Sequence, residues 1–115
     1  MKTSEDRGLT AQEQGLLRWL LDHGKASARA YVSTIEGLRV VSRCSCGCAS
    51  IDFVDAPKVP LEILSDHKWQ DGEGHLFGVF VFAKDGQLAG LEVWSIDGEA
   101  TPTVLPDATV LVPLD

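Results

Sequence analysis

The spacing of apolar residues divides the chain into a helical first part and a β-rich second part. In the first part, leucines recur every three or four residues, at Leu16, Leu17, Leu20 and Leu21. This is the spacing of one face of an α-helix. Thr10 and Glu13 precede them with the spacing of a capping box, in which each side chain bonds the backbone amide of the other residue. The pattern therefore predicts a helix that begins after Thr10.

A second, shorter helix is predicted by the same period. Its apolar positions are Ala28, Tyr31, Val32 and Ile35. They follow the i, i+3, i+4, i+7 pattern of an amphipathic helix. Ser27 is placed to cap its start and Gly37 to end it, because a hydroxyl accepts from the first free amides and glycine tolerates the terminal left-handed conformation.

From residue 38 onward the period of the apolar positions changes to two, which is the period of β-strands. We predict strands at 38–43, 49–54, 61–69, 75–83, 90–96 and 109–112. Turn sequences such as Asp85-Gly86 separate several of them, since glycine supplies positive φ and aspartate bonds its own backbone. Consecutive hairpins of this kind predict an antiparallel meander of five to six strands.

These elements predict an α+β fold, in which two N-terminal helices pack on one face of the antiparallel sheet. Two helices cannot serve as crossovers between six strands, which excludes a parallel sheet. The central strand is apolar on both alternating faces over 77–83, so we expect a second cover, for which a partner is a candidate. Residues 1–8 are polar and predicted to be disordered, and residues 9–115 are predicted to form a single α+β domain.

Charge is the composition feature that bears most on function. Residues 1–43 carry seven basic and five acidic side chains, whereas residues 44–115 carry three basic and twelve acidic ones, so the net charge of −7 divides into +2 and −9. A folded surface of that sign repels nucleic acid and attracts basic proteins. We therefore expect a basic protein partner and no nucleic acid. The alternative is a surface that serves only solubility.

We expect a cytoplasmic protein that does not enter a membrane. The longest apolar run, at 79–83, is far shorter than the roughly 18 residues that span a bilayer. The first residues lack the apolar stretch of a signal peptide. An odd number of cysteines, three, also favours a reducing compartment over a disulfide scaffold. The sequence leaves the oligomeric state open.

Cys44, Cys46 and Cys48 are the most distinctive local motif. Structural zinc sites usually combine two cysteine pairs, or one pair with histidines at finger spacing, and this chain has neither. We therefore expect structural thiols around a tight turn at Gly47, with no metal and no cofactor. The alternatives are a metal site at these three cysteines and a redox switch through a strained, easily reduced disulfide.

Catalytic chemistry has little support in the sequence. A cysteine nucleophile would need a histidine and an acid beside it, and the combination available is Cys46 or Cys48 with His75 and Asp52. No nucleophile elbow, zinc-protease helix, phosphate-binding loop or dinucleotide fingerprint is present. We expect that the chain is not an enzyme.

The candidate partner-binding residues lie in the acidic second part. Trp94 alternates with Glu92 along one strand face, and a tryptophan beside carboxylates is a common anchor against a basic partner. The alternative is a tryptophan that only covers the sheet. The complete predicted set is Asp71, Glu73, Asp85, Glu92, Trp94, Asp97 and Glu99.

The cysteine motif at 43–52 and the Leu-Glu-Val-Trp strand at 90–95 resemble a group of small uncharacterised bacterial proteins. In that group a C-x-C-G-C stretch leads into a short apolar strand, and an L-E-V-aromatic strand follows later. The resemblance covers about residues 9–107 and carries no catalytic role. Small acidic α+β proteins of this kind are similar in type to immunity proteins of bacterial toxin systems, including contact-dependent inhibition.

This resemblance in type implies an immunity protein that neutralises a basic, nuclease-like toxin domain by occlusion. The second hypothesis is a metal- or redox-responsive domain built on Cys44, Cys46 and Cys48. A small cysteine enzyme is a third class.

Overall fold

The computed structural model describes residues 2–114, and Met1 and Asp115 lie outside the described residues. Its helical elements are α1 (Ala11–Asp22), a 3₁₀ helix (Ala26–Gly37) and a short 3₁₀ turn (Ala108–Val110). Its strands are β1 (Lys2–Gly8), β2 (Arg39–Cys44), β3 (Ile51–Asp52), β4 (Glu62–Gln70), β5 (Leu76–Lys84), β6 (Gln87–Ser95) and β7 (Val112–Pro113).

The strands form one antiparallel sheet in the order β1-β2-β3-β6-β5-β4-β7. The α+β class and the antiparallel sheet are confirmed, but the sheet has seven strands instead of five to six. It is also not a single meander. Strands β4, β5 and β6 form a meander. Strands β1, β2 and β3 form a second antiparallel group, in which α1 and the 3₁₀ helix connect β1 to β2. The two groups meet where β3 pairs with β6, and β7 pairs with the far side of β4.

Residues 2–8, which the sequence predicts to be disordered together with Met1, form the edge strand β1 and pair with β2, whereas Met1 lies outside the described residues. Backbone hydrogen bonds to β2 do not depend on apolar side chains, and charged side chains are suited to a sheet edge. Each charged side chain of β1 also has an ionic partner on a neighbouring element. These pairs are Lys2–Asp52, Glu5–Arg43, Asp6–Arg39 and Arg7–Glu13.

Helix α1 begins as its sequence predicts. Thr10 Oγ1 accepts from the amide of Glu13 at 3.1 Å, and a Glu13 carboxylate oxygen accepts from the amide of Thr10 at 2.8 Å. Arg7 adds two bonds, both 2.9 Å, from its guanidinium to the two oxygens of the same carboxylate. This carboxylate therefore ties β1 to the start of α1, and Glu13 is buried.

The second helix has 3₁₀ geometry through its 12 residues. Serine, threonine, valine and tyrosine fill much of it, and these residues are weaker α-helix formers than alanine and leucine. Ala28 and Ile35 are buried as the apolar pattern predicts.

Within residues 2–114, no helix is both long and apolar enough to cross a bilayer.

The two faces of the sheet have different neighbours. Val79 and Val81 on β5 share one buried core with the leucines of α1. Successive side chains on a strand point to opposite faces, so Gly78 and Phe80 face the other way. The register places Trp94 beside Gly78 and Glu92 beside Phe80. We call the side formed by Lys68, Gly78, Phe80, Glu92 and Trp94 the open face.

Candidate functional site

Trp94 is the most exposed aromatic side chain of the open face, with 38% of its surface accessible. Its indole lies directly over Gly78. A Cβ added to Gly78 would stand 2.4 Å from Nε1 and 2.7 Å from Cε2 of Trp94, so the indole occupies the space that any other side chain would need. The absence of a side chain at residue 78 therefore sets the position of the exposed ring.

Glu92 and Phe80 continue the open face away from Trp94. They are cross-strand partners, and the Phe80 ring lies 5.8 Å, centroid to centroid, from that of Phe82. The Glu92 carboxylate accepts from the Ser50 hydroxyl at 2.8 Å. This bond fixes the direction of the Glu92 carboxylate, and the side chain stays partly accessible.

Four predicted site residues meet at one end of the sheet. Asp71 and Glu73 belong to the turn that enters β5, and Asp97 and Glu99 follow the end of β6. These two segments are neighbours because the strands are antiparallel. The amide of Leu76 donates to Asp97 Oδ2 at 2.9 Å and links the two segments directly. We call Asp71, Glu73, Asp97 and Glu99 the acidic end.

Backbone amides fix the side chains of both aspartates of the acidic end. Asp71 Oδ1 accepts from the amides of Glu73 and His75, both at 2.9 Å. Asp97 Oδ1 accepts from the amide of Glu99 at 2.9 Å. The amide of Leu76, followed by that of Glu99, lowers the pKa of the Asp97 carboxyl. Asp97 is therefore charged at neutral pH and held in a fixed direction.

Within residues 2–114, no Lys or Arg side chain forms an ion pair with the acidic end. Five ion pairs between residues 2 and 114 use Lys or Arg, and none of them includes a carboxylate of the acidic end. They are Lys2–Asp52, Arg7–Glu13, Lys25–Glu62, Arg39–Asp6 and Arg43–Glu5. The one ionic contact made by the acidic end within the same residues is that of His75 Nδ1 with Asp97 Oδ2, at 3.9 Å.

The seventh predicted residue, Asp85, lies away from the other six. It occupies the turn between β5 and β6 with φ of +53°, at the opposite end of these strands. A nine-residue strand such as β5 spans about 25 Å at roughly 3.3 Å per residue. Trp94 and Glu92 therefore lie on the strand that leads into the acidic end, and Asp85 lies at the other end of that strand.

The cysteine motif forms a tight loop between β2 and β3. Gly47 adopts φ of +94°, as expected of a turn at that residue. The sulfur atoms of Cys44, Cys46 and Cys48 all lie within 4.8 Å of one another, and the three thiols are free. Cys46 is exposed and the other two are half-buried. The loop thus gathers three sulfur atoms at the surface.

Among the described residues, Cys46 and Cys48 are not grouped with His75 and Asp52. Asp52 accepts from the Ser42 hydroxyl at 2.7 Å and pairs with Lys2. His75 is instead the partner of Asp97. Within residues 2–114, no histidine or carboxylate joins the group of three cysteines.

Sequence reasoning missed the role of Gly78. A glycine inside an otherwise apolar strand is a signal that another group approaches the backbone closely, and Phe77-Gly78-Val79 carries that signal. The identity of the approaching group depends on the register between β5 and β6, which the spacing of apolar residues alone does not give.

No protein-family model, curated protein or solved structure matches this chain.

Proposed function

We propose that this protein is a non-enzymatic, cytoplasmic binding protein that neutralises a basic, nuclease-like toxin domain by occluding its phosphate-binding surface. The observation that carries the proposal is the position of Trp94. Its indole lies on Gly78 with 38% of the residue accessible, on the same strand that leads into the acidic end. Aromatic anchors bordered by charge are typical of protein interfaces.

The charge of the acidic end supports a partner of basic character. Four carboxylates without a Lys or Arg partner within residues 2–114 create a local negative field. Such a field raises the association rate of a positively charged protein. The same field disfavours nucleic acid, whose phosphates have the same sign.

The open face itself is less negative than the acidic end. Lys68 is the cross-strand partner of Gly78 and so lies beside the Trp94 ring. Lys84 borders the same face and donates to the carbonyl of Ala56 at 2.9 Å. The arrangement therefore suits a partner that places its basic groups on the acidic end and an apolar or aromatic contact on Trp94.

Occlusion follows from these two features together. A nuclease uses Lys and Arg side chains to hold phosphates, and an inhibitor with carboxylates at matching positions competes for the same groups. The acidic end would supply fast association, and a desolvated Trp94 would slow dissociation. No chemical step on the toxin is required.

The test uses the proteins encoded beside the gene for this chain. A basic, nuclease-like neighbour is purified, and its cleavage of a labelled polynucleotide is measured as this protein is added. We expect complete inhibition at one equivalent, and loss of inhibition with the combined W94A, D97K and E99K variant. A matched variant with Asp22→Lys and Glu36→Lys, on the helices, should inhibit as the wild type does. If no neighbouring protein is inhibited, the proposal fails.

A further inference from the structure

We infer that Cys44, Cys46 and Cys48 form a binding site for a soft, thiophilic metal ion, with monovalent copper as the preferred ligand. The convergence of the three sulfur atoms carries this inference. Their mutual distances are all within 4.8 Å. Three ligands bonded to one ion at about 2.3 Å lie about 3.8–4.0 Å apart, so the loop needs to contract by at most about 1 Å to close on an ion.

The backbone of the loop fixes the positions of two of the three sulfur atoms. The amide of Cys46 donates to the sulfur of Cys44, and the amide of Cys48 donates to the sulfur of Cys46, both at 3.4 Å. Lys2 is the cross-strand neighbour of Cys44, and its ammonium is paired with Asp52.

The number and softness of the ligands favour some metals over others. Structural zinc takes four protein ligands, and within residues 2–114 no histidine, aspartate or glutamate joins the three cysteines. Iron–sulfur clusters are commonly held by four cysteine thiolates. Monovalent copper is selected by soft thiolates and does not require a fourth one. The exposed Cys46 and the half-buried Cys44 and Cys48 give the ion a path of entry.

The cysteine site shares no residue with the proposed toxin-binding surface. The cysteines join β2 to β3, and Trp94 is on β6 next to the acidic end. Copper binding therefore does not depend on the inhibitor function, and either inference can fail alone.

The test is a competition titration on the full, reduced chain without oxygen. Monovalent copper is offered together with a chromophoric copper chelator, and divalent zinc is offered with a chromophoric zinc chelator in a second arm. We expect one copper ion per chain, with an ultraviolet sulfur-to-metal charge-transfer band and a shell of three sulfur atoms in X-ray absorption. We expect zinc to bind more weakly relative to its chelator.

Two variants control the titration. Cys46→Ser and Cys48→Ser should each weaken copper binding by at least about 100-fold, since even the loss of a group that only orients a ligand costs 10–100-fold. His23→Asn, which removes an exposed metal-binding side chain outside the cluster, should leave the affinity unchanged. Circular dichroism of each metal-free variant verifies that it folds. Less than half an equivalent of copper, tighter zinc than copper, or wild-type affinity in the cysteine variants would overturn the inference.

Discussion

Trp94 and Gly78 form a fitted pair across β6 and β5: the indole fills the space above the glycine, and a Cβ there would stand 2.4 Å from Nε1. Gly78→Ala should therefore displace the ring. We expect a loss of about 1 kcal/mol of unfolding free energy, at the low end of overpacking costs because the ring is partly exposed and can move. Near-ultraviolet circular dichroism and urea denaturation measure the two effects.

A double-mutant cycle isolates this pair. In a Trp94→Ala background the clash is absent, so Gly78→Ala should cost nothing there. Gly72→Ala is the matched control, because a Cβ at Gly72 meets no atom within 4 Å. An equal cost of Gly78→Ala with and without Trp94 would show that the ring does not depend on the glycine.

The capping box of α1 should contribute measurably to stability. Thr10→Ala removes the hydroxyl that accepts from Glu13 at 3.1 Å, and loss of such a cap typically costs about 1 kcal/mol. In a domain of this size the melting temperature should fall by about 4–8 °C. Thr101→Ala, the same change in an exposed loop, should leave it within error. Equal melting temperatures for the two variants would contradict the assignment.

His67 should make stability depend on pH in the mildly acidic range. It is buried, with Nδ1 at 3.2 Å from the Ser65 hydroxyl. Burial, and secondarily the charge of His23, lower the pKa of His67 from its usual 6.5. Below about pH 6.5 the unfolded chain binds a proton that the folded chain does not. Stability should therefore fall as the pH drops from about 7 to the lowered pKa.

Urea denaturation at about pH 7.0 and 5.5 measures this effect, and His67→Gln is the reference. The variant retains His23 and His75, so the difference between its pH dependence and that of the wild type isolates His67. The wild type should lose more stability than the variant over this interval. Parallel losses in the two proteins would assign the pH dependence to other groups.

Substitutions of Trp94 and Lys68, which are neighbours on the open face, should have opposite effects on toxin affinity. Trp94→Ala should speed dissociation by about thirtyfold, the equivalent of the roughly 2 kcal/mol of an interface hot spot. Lys68→Glu should speed association, because Lys68 is the positive charge beside the Trp94 ring and repels a basic partner. Surface plasmon resonance separates the two rates. Slower association of Lys68→Glu would mean that the partner is not basic at this point.

The sequence predicts those parts of the fold that depend on local pattern. Spacing and turn residues predict the capping box, the leucine face of α1 and the two hairpins that join β4, β5 and β6. All of these are present. Strand β1 is not predicted, because pairing at a sheet edge uses the backbone and leaves no apolar pattern. The pairing of β3 with β6 is not predicted either, because these strands are far apart in the sequence and turn residues indicate pairing only between consecutive strands.

The candidate site divides in the same way. The acidic residues are visible in the charge distribution, and turn chemistry places four of them near one another. The position of Asp85 at the opposite end follows from which turn it occupies, and net charge does not distinguish the turns. The contact of the Trp94 ring with Gly78 can be predicted only when the register between β5 and β6 is known. The convergence of three sulfur atoms requires the path of the loop through Gly47.

The most direct test of the proposed function is the association rate of the Asp97→Lys, Glu99→Lys double variant with the purified basic, nuclease-like toxin domain. It is measured at low and at moderate salt against Asp22→Lys, Glu36→Lys, which changes the net charge equally. We predict about tenfold slower association at low salt and a weaker dependence on salt for the first variant, with wild-type rates for the second. A slower rate for the helix variant, with an unchanged rate for the acidic-end variant, would contradict the proposed surface.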